Sequence, residues 1–117
     1  MRFAIRTPRF PVIVVGGDLV FAAASPPNLE GLVRRTLAGA EIKLLDQTWE
    51  WFELAADDDL VLPSFLNRLP PTKRAVVALV NGRSNRTPDA PDYQLRSLSN
   101  HTREDIFAEL IALLPTR

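Results

Sequence analysis

The chain has 117 residues, a size typical of a single domain, and it contains no cysteine. The lack of cysteine excludes disulfides, thiolate zinc sites and a cysteine nucleophile, and it fits a reducing cytoplasm. The 14 cationic and 14 acidic residues cancel, so no bulk attraction to nucleic acid or to a membrane surface is expected. No apolar run approaches the ~20 residues of a membrane span. We therefore expect one soluble, cytoplasmic domain over residues 1–117.

Charge is distributed unevenly along the chain. Residues 41–59 contain seven acidic residues and one lysine, whereas residues 66–103 contain seven cationic residues and two aspartates. Arginine predominates over lysine, and the guanidinium group is well suited to paired hydrogen bonds with anions. The segment 66–103 is therefore the first place to look for an anion or nucleic-acid contact.

The first predicted elements are a hairpin and a helix. Residues 11–15 and 19–23 are apolar runs on either side of a Gly-Gly-Asp sequence, a pattern typical of a β-hairpin with a tight turn. Ser25 precedes two prolines and suits the N-cap of a helix, which the apolar spacing predicts up to a stop at Gly39. The N-terminal part should thus supply two strands and a helix, with residues 3–6 as an additional short strand.

A second hairpin is predicted in the acidic segment. Residues 41–45 and 48–54 have an extended pattern, and residues 60–62 return as a short strand. Trp49 and Trp51 fall on the same side of an extended chain, because side chains alternate between the two faces. Such a pair usually packs in a core, but it also suits a platform for a ligand or a partner. The face of Trp49 and Trp51 is therefore one candidate site.

The C-terminal half is predicted to be helical around a long loop. One helical turn is expected at residues 64–69. Residues 73–81 are predicted to form a helix, although their apolar run would also suit a buried strand. Residues 83–101 form a polar loop, long enough to be either functional or mobile. Thr102 caps the last helix, whose apolar residues recur with helical spacing until Pro115.

The cationic residues around the predicted helix 73–81 form the candidate anion site. Those at its start would lie beside the free N–H groups of a helix N-terminus, which attract anions. Others flank the loop that follows. The candidate anion- or nucleic-acid-binding residues are Lys73, Arg74, Arg83, Asn85 and Arg86. The alternative interpretation is an ordinary solvated basic surface.

The sequence offers little for metal or acid–base chemistry. His101, the single histidine, lies beside a predicted helix cap, which favours a structural or exposed role. Asp57, Asp58 and Asp59 alternate in direction in an extended chain, so they converge poorly on a cation and indicate a solvated turn. We therefore expect no metal and no cofactor.

Together these elements predict an α+β fold. The sheet is expected to be antiparallel with the order ββαββ, followed by two helices, and the helices are expected to pack on one face of the sheet. Strands 11–15 and 19–23 carry almost no charge, so either could pair at an exposed sheet edge with another copy. A homodimer is the simplest such assembly.

The leading functional hypothesis is a non-enzymatic protein-interaction or regulatory domain, because the sequence shows no catalytic constellation. The first alternative is an accessory protein that binds nucleic acid or another anion through residues 66–103. The second alternative is a small-ligand binder or enzyme that uses the face of Trp49 and Trp51. A protein partner, with a homodimer as one form, is favoured over nucleic acid, and no membrane association is expected.

Overall fold

The computed structural model describes residues 1–37, 39, 41–55, 60–63, 70–90, 92–93 and 100–115. Within these ranges the chain forms six strands and three helices. The strands are β1 (Arg2–Phe3), β2 (Val12–Gly16), β3 (Leu19–Ala23), β4 (Ile42–Leu45), β5 (Trp51–Ala55) and β6 (Leu60–Pro63); the helices are α1 (Pro26–Arg35), α2 (Lys73–Asn81) and α3 (Arg103–Leu113). None of these helices is both long enough and apolar enough to cross a bilayer.

The six strands form one mixed sheet in the order β1-β6-β5-β4-β2-β3. The α+β class is confirmed, but the purely antiparallel sheet and the ββαββ order are wrong. The short strand β1 pairs in parallel with β6, through the register Arg2 to Leu60, while the other pairs are antiparallel. Parallel pairing is possible here because β1 and β6 are far apart in the chain, and a parallel pair needs a long connection. The strand β2 lies inside the sheet, and β3 forms one edge.

Helices cover both faces of the sheet, so the prediction that they pack on one face is wrong. Val14 of β2 shares a core with Leu29 of α1. The neighbouring Ile13 points to the opposite face and shares a second core with Val77 of α2 and Leu110 of α3. The central strands are apolar on both faces, and such strands are stable only when both faces are covered.

Local capping places the helices as the sequence predicts. Ser25, Thr72 and Thr102 are the three N-caps, and each side chain accepts a hydrogen bond from a backbone N–H in the first turn. Residues 73–81 are helical, which resolves the choice between helix and strand. Helix α1 ends at Arg35 rather than near Gly39. The predicted turn at 57–59, the predicted helical turn at 64–69 and most of 91–99 lie outside the described residues.

Candidate functional site

The five residues predicted to bind anions do not form one cluster. Lys73 and Arg74 begin α2, whereas the other three follow its end. A helix of nine residues is about 13 Å long, so the two groups lie at opposite ends of α2. The ammonium group of Lys73 donates to the carbonyl oxygen of His101, just before α3. Arg74 is exposed.

Asn85 is bound to the edge strand of the sheet. Its Oδ1 accepts from the N–H of Val20 at 3.1 Å, and its Nδ2 donates to the carbonyl oxygen of Val20 at 2.8 Å. The N–H of Ser84 donates to the carbonyl oxygen of Asp18 at 2.9 Å. The side chain of Asn85 thus takes the place of a neighbouring strand at β3.

Arg86 holds the loop after α2 together. Its guanidinium donates to the carbonyl oxygens of Asn81 (3.2 Å) and Ala90 (2.7 Å), and it forms an ion pair with Asp92. The side chain of Asn81 also pairs with the backbone of Tyr93, accepting from its N–H at 2.9 Å and donating to its carbonyl oxygen at 3.2 Å. The described part of the predicted 83–101 loop is therefore an ordered structure that Arg86 and Asn81 stabilise.

Arg83 is almost fully buried, with 7% of its surface exposed. Its Nη1 donates to the carbonyl oxygen of Val80 at the end of α2, where the helix dipole favours a cation. Its Nε has no hydrogen-bond partner among the described residues. Burial, and then the nearby charge of Arg86, lower the pKa of Arg83. Arg83 therefore stabilises the C-terminal end of α2, and because it is buried, it is not accessible to an external anion.

Both tryptophans pack toward α2 and α3. Trp49 is only 2% exposed; its Nε1 donates to the carbonyl oxygen of Pro71 at 2.6 Å, and its ring meets Phe107 edge to face at 6.3 Å between centroids. Trp49 precedes β5 and has a positive φ of 67°, so it is not a strand residue. Trp51 is partly buried against the same core. Most of the predicted tryptophan face is thus interior.

A groove of about 440 Å³ lies beside α3, and sequence reasoning missed it. One wall is a stripe of α3 with helical spacing. The opposite wall comes from the segment before β2 and from the turn after β4. The lining residues of this feature, the α3 groove, are Arg9, Pro11, Gln47, Glu104, Phe107, Ala108 and Ile111.

The α3 groove is lined by both apolar and charged residues. Phe107 is buried, while Pro11 and Ile111 are partly exposed. Arg9 and Glu104 are exposed and come from opposite walls. The groove therefore offers apolar contact area together with one charge of each sign.

Buried Asp46 fixes the wall opposite α3. Its carboxylate accepts from the N–H of Arg9 at 3.0 Å, and from the N–H and hydroxyl of Thr48 at 3.0 and 2.6 Å. Gln47 donates through Nε2 to the carbonyl oxygen of Phe10 at 2.8 Å and through its N–H to that of Arg9 at 3.2 Å. An aspartate two residues before a threonine suits an Asx turn, and this local signal was the one sign of the wall in the sequence.

The described residues contain no group of three or more His, Asp or Glu side chains placed to hold a metal ion. No family model, curated protein or solved structure matches the chain. The site therefore has to be interpreted from its own chemistry. The α3 groove is the candidate functional site.

Proposed function

We propose that this chain is a non-enzymatic protein-interaction domain that binds a short segment of a protein partner in the α3 groove. The observation that carries the proposal is the groove itself: its volume of about 440 Å³ is within the roughly 300–1,000 Å³ of typical ligand pockets. Apolar lining residues supply binding energy, and a few placed polar groups supply orientation.

The chemistry of the groove favours a peptide. An apolar side chain of the partner would rest on Phe107 and Ile111. The exposed charges of Arg9 and Glu104 on opposite walls would favour one direction of a segment that carries both signs of charge, since charged groups at a rim mainly fix register. The wall on the Arg9 side is preformed because Asp46 and Gln47 hold it, which lowers the entropic cost of binding.

Binding of nucleic acid has less support. Of the five predicted contacts, Asn85 and Arg86 are engaged with the backbone and Arg83 is buried. The burial of Trp49 likewise removes half of the predicted ligand platform.

Location in the cytoplasm remains a prediction.

Selection from a library of random peptides displayed on phage tests the proposal. Peptides enriched on the wild-type chain are synthesised, and calorimetry measures their affinities for the wild-type chain, for Ala108→Trp, which fills the groove, and for Ala78→Trp. Ala78 is exposed on α2 and does not line the groove. We expect Ala108→Trp to weaken binding at least about tenfold, a loss of ~1.4 kcal/mol, and Ala78→Trp to leave it unchanged. Equal affinity for both variants, or no enriched peptide, would overturn the proposal.

A further inference from the structure

Ile5 is the most exposed large apolar side chain among the described residues, at 76%. Its backbone has a positive φ of 67°, a conformation that is a genuine outlier for a β-branched residue. The N–H of Arg6 donates to the carbonyl oxygen of Ala4 at 2.7 Å, so Ile5 is the centre of a γ-turn of the rarer, strained form. Strain of this kind persists only where the surrounding structure imposes it.

Arg6 supplies that constraint. Its guanidinium pairs with Asp46 at 3.2 Å, with Glu50, and with the hydroxyl of Thr48 at 3.1 Å. Its Cζ lies 4.7 Å from the centre of the Phe52 ring, a distance typical of a cation–π contact. The turn is therefore held from the Arg6 side while Ile5 projects into solvent.

The same carboxylate connects Ile5 to the α3 groove. Oδ2 of Asp46 accepts from Nη1 of Arg6 at 3.2 Å and from the N–H of Arg9 at 3.0 Å. Arg6 follows Ile5 directly, and Arg9 lines the groove. The exposed side chain of Ile5 and the α3 groove are thus held in a fixed relative position within each molecule.

We infer that the chain forms a twofold dimer in which Ile5 of each copy enters the α3 groove of the other. The inference rests on the proposed binding role of this groove, and it specifies Ile5 of a second copy as the occupant. A twofold axis repeats the same contact twice, and a rigid apolar anchor in a pocket is the usual centre of an interface. The apolar lining residues Pro11, Phe107 and Ile111 match Ile5 in polarity, and the opposite charges on the two walls can meet their counterparts across the axis.

The dimer gives the domain a means of regulation. A copy of Ile5 in the groove excludes a partner segment, so dimerisation and partner binding compete for one surface. The partner would then bind more weakly as the concentration of the chain rises. A monomer with a free groove is the form that binds.

Sedimentation equilibrium over about one to several hundred micromolar protein tests the dimer. For the wild-type chain we expect a mass that rises from 13.1 kDa toward twice that value. Ile5→Asn removes the anchor but keeps the turn, because asparagine tolerates a positive φ. It should weaken dimerisation at least about tenfold, as should Ala108→Trp.

Matched controls and a mixture make the test specific. Leu79→Asn changes a second large apolar side chain that is exposed among the described residues, at 40%, and Ala78→Trp adds the same ring on α2, outside the groove; both should dimerise like the wild type. A mixture of Ile5→Asn and Ala108→Trp retains one intact pair of anchor and groove, so it should form heterodimers more tightly than either variant forms homodimers. Far-ultraviolet circular dichroism, which does not depend on the number of tryptophans, verifies that each variant is folded.

Each outcome decides the inference. A mass fixed at 13.1 kDa over the whole range overturns it, and so does dimerisation that Ile5→Asn and Ala108→Trp leave unchanged. The same experiments distinguish a failure of the dimer from a failure of the proposed function. Peptides that bind monomeric chains and lose affinity with Ala108→Trp would keep the function without the dimer. A dimer sensitive to Ile5→Asn, with no enriched peptide, would keep the dimer without the function.

Discussion

Asp46 connects three features that the sequence keeps apart: the Ile5 turn, the wall of the α3 groove and the turn before β5. Its carboxylate is fully buried. It accepts hydrogen bonds from the side chain of Arg6 and from the backbone N–H groups of Arg9, Thr48 and Glu50. A buried carboxylate is tolerated only when paired and hydrogen-bonded, and here the guanidinium of Arg6 provides the pair. The attraction to Glu50 and Asp46 outweighs the opposing effect of burial and raises the pKa of Arg6.

Asp46→Ala should therefore lower the free energy of unfolding by about 3 kcal/mol, because it leaves the backbone N–H groups of Arg9, Thr48 and Glu50 without their acceptor and removes one of the two carboxylates that pair with Arg6. Urea denaturation measures the change. Asp89→Ala, at an exposed loop aspartate, is the control and should stay within about 0.5 kcal/mol. A loss for Asp46→Ala as small as that of the control would show that this carboxylate does not organise the turn.

Tyr93, the single tyrosine of the chain, provides a specific pH signal. Burial and the hydrogen bond to the carboxylate of Glu109 raise the pKa of Tyr93 to about 12. The folded protein binds the phenolic proton more tightly than the unfolded chain, whose tyrosine titrates near 10. This contribution to stability is complete below about pH 10 and is lost as the pH rises toward 12.

Absorbance of the phenolate near 295 nm follows this titration without interference from other tyrosines. Glu109→Gln should lower the pKa of Tyr93, because it removes the negative charge beside the phenol. Titration of the wild-type folded protein near pH 10, or an unchanged titration in Glu109→Gln, would contradict the contact between Tyr93 and Glu109.

At the scale of elements, the edge strand β3 is covered by segments that are not strands. Asn85 binds both backbone groups of Val20, and the N–H of Ala22 donates to the carbonyl oxygen of Pro115 at 3.0 Å. Exposed strand edges invite pairing with other chains, and proteins commonly cover them. Pairing through the predicted strands 11–15 and 19–23 therefore loses its basis, since the first is interior and the second is covered.

Asn85→Ala should uncover this edge. We expect a loss of about 1–2 kcal/mol in the free energy of unfolding, because two hydrogen bonds to Val20 are removed, and a higher rate of aggregation measured by light scattering. Asn100→Ala, at an exposed asparagine, should change neither quantity. Asn85→Asp, which keeps the acceptor but loses the donor, should fall between the wild type and Asn85→Ala. A fully stable, non-aggregating Asn85→Ala would show that the edge needs no cover.

At the scale of the whole molecule, the sequence predicts those features that depend on residues close together in the chain, such as the helix caps. Thr72 and Thr102 cap their helices through contacts three residues away, so α2 and α3 are evident from local pattern. The pairing of Arg2 with Leu60 and the meeting of Arg9 with α3 join distant parts of the chain and leave no local trace. The cationic pattern was visible, and so was its division between the two ends of residues 73–81, which a strand would separate even farther than a helix. The burial of Arg83 and the binding of Asn85 to Val20 depend on distant contacts and were not visible.

The two cores should unfold together. Leu29 belongs to the core under α1, and Leu110 belongs to the core under α2 and α3, which also contains Trp49. The central strands contribute alternate side chains to both cores, so neither layer can keep its structure when the sheet is lost. Small single domains usually unfold in one cooperative step. We therefore predict that a substitution that destabilises one core also lowers the stability of the other core.

Leu29→Ala and Leu110→Ala should each cost about 2–5 kcal/mol, through lost burial and the cavity left behind. The informative measurement is the tryptophan fluorescence during urea denaturation of Leu29→Ala, since Trp49 and Trp51 both pack in the core across the sheet from that substitution. Its transition should move to lower urea and coincide with the loss of far-ultraviolet circular dichroism. Ala112→Gln, on the exposed side of α3, should stay within about 0.5 kcal/mol. A fluorescence transition that Leu29→Ala leaves in place, with a separate loss of circular dichroism, would show that the two layers are independent.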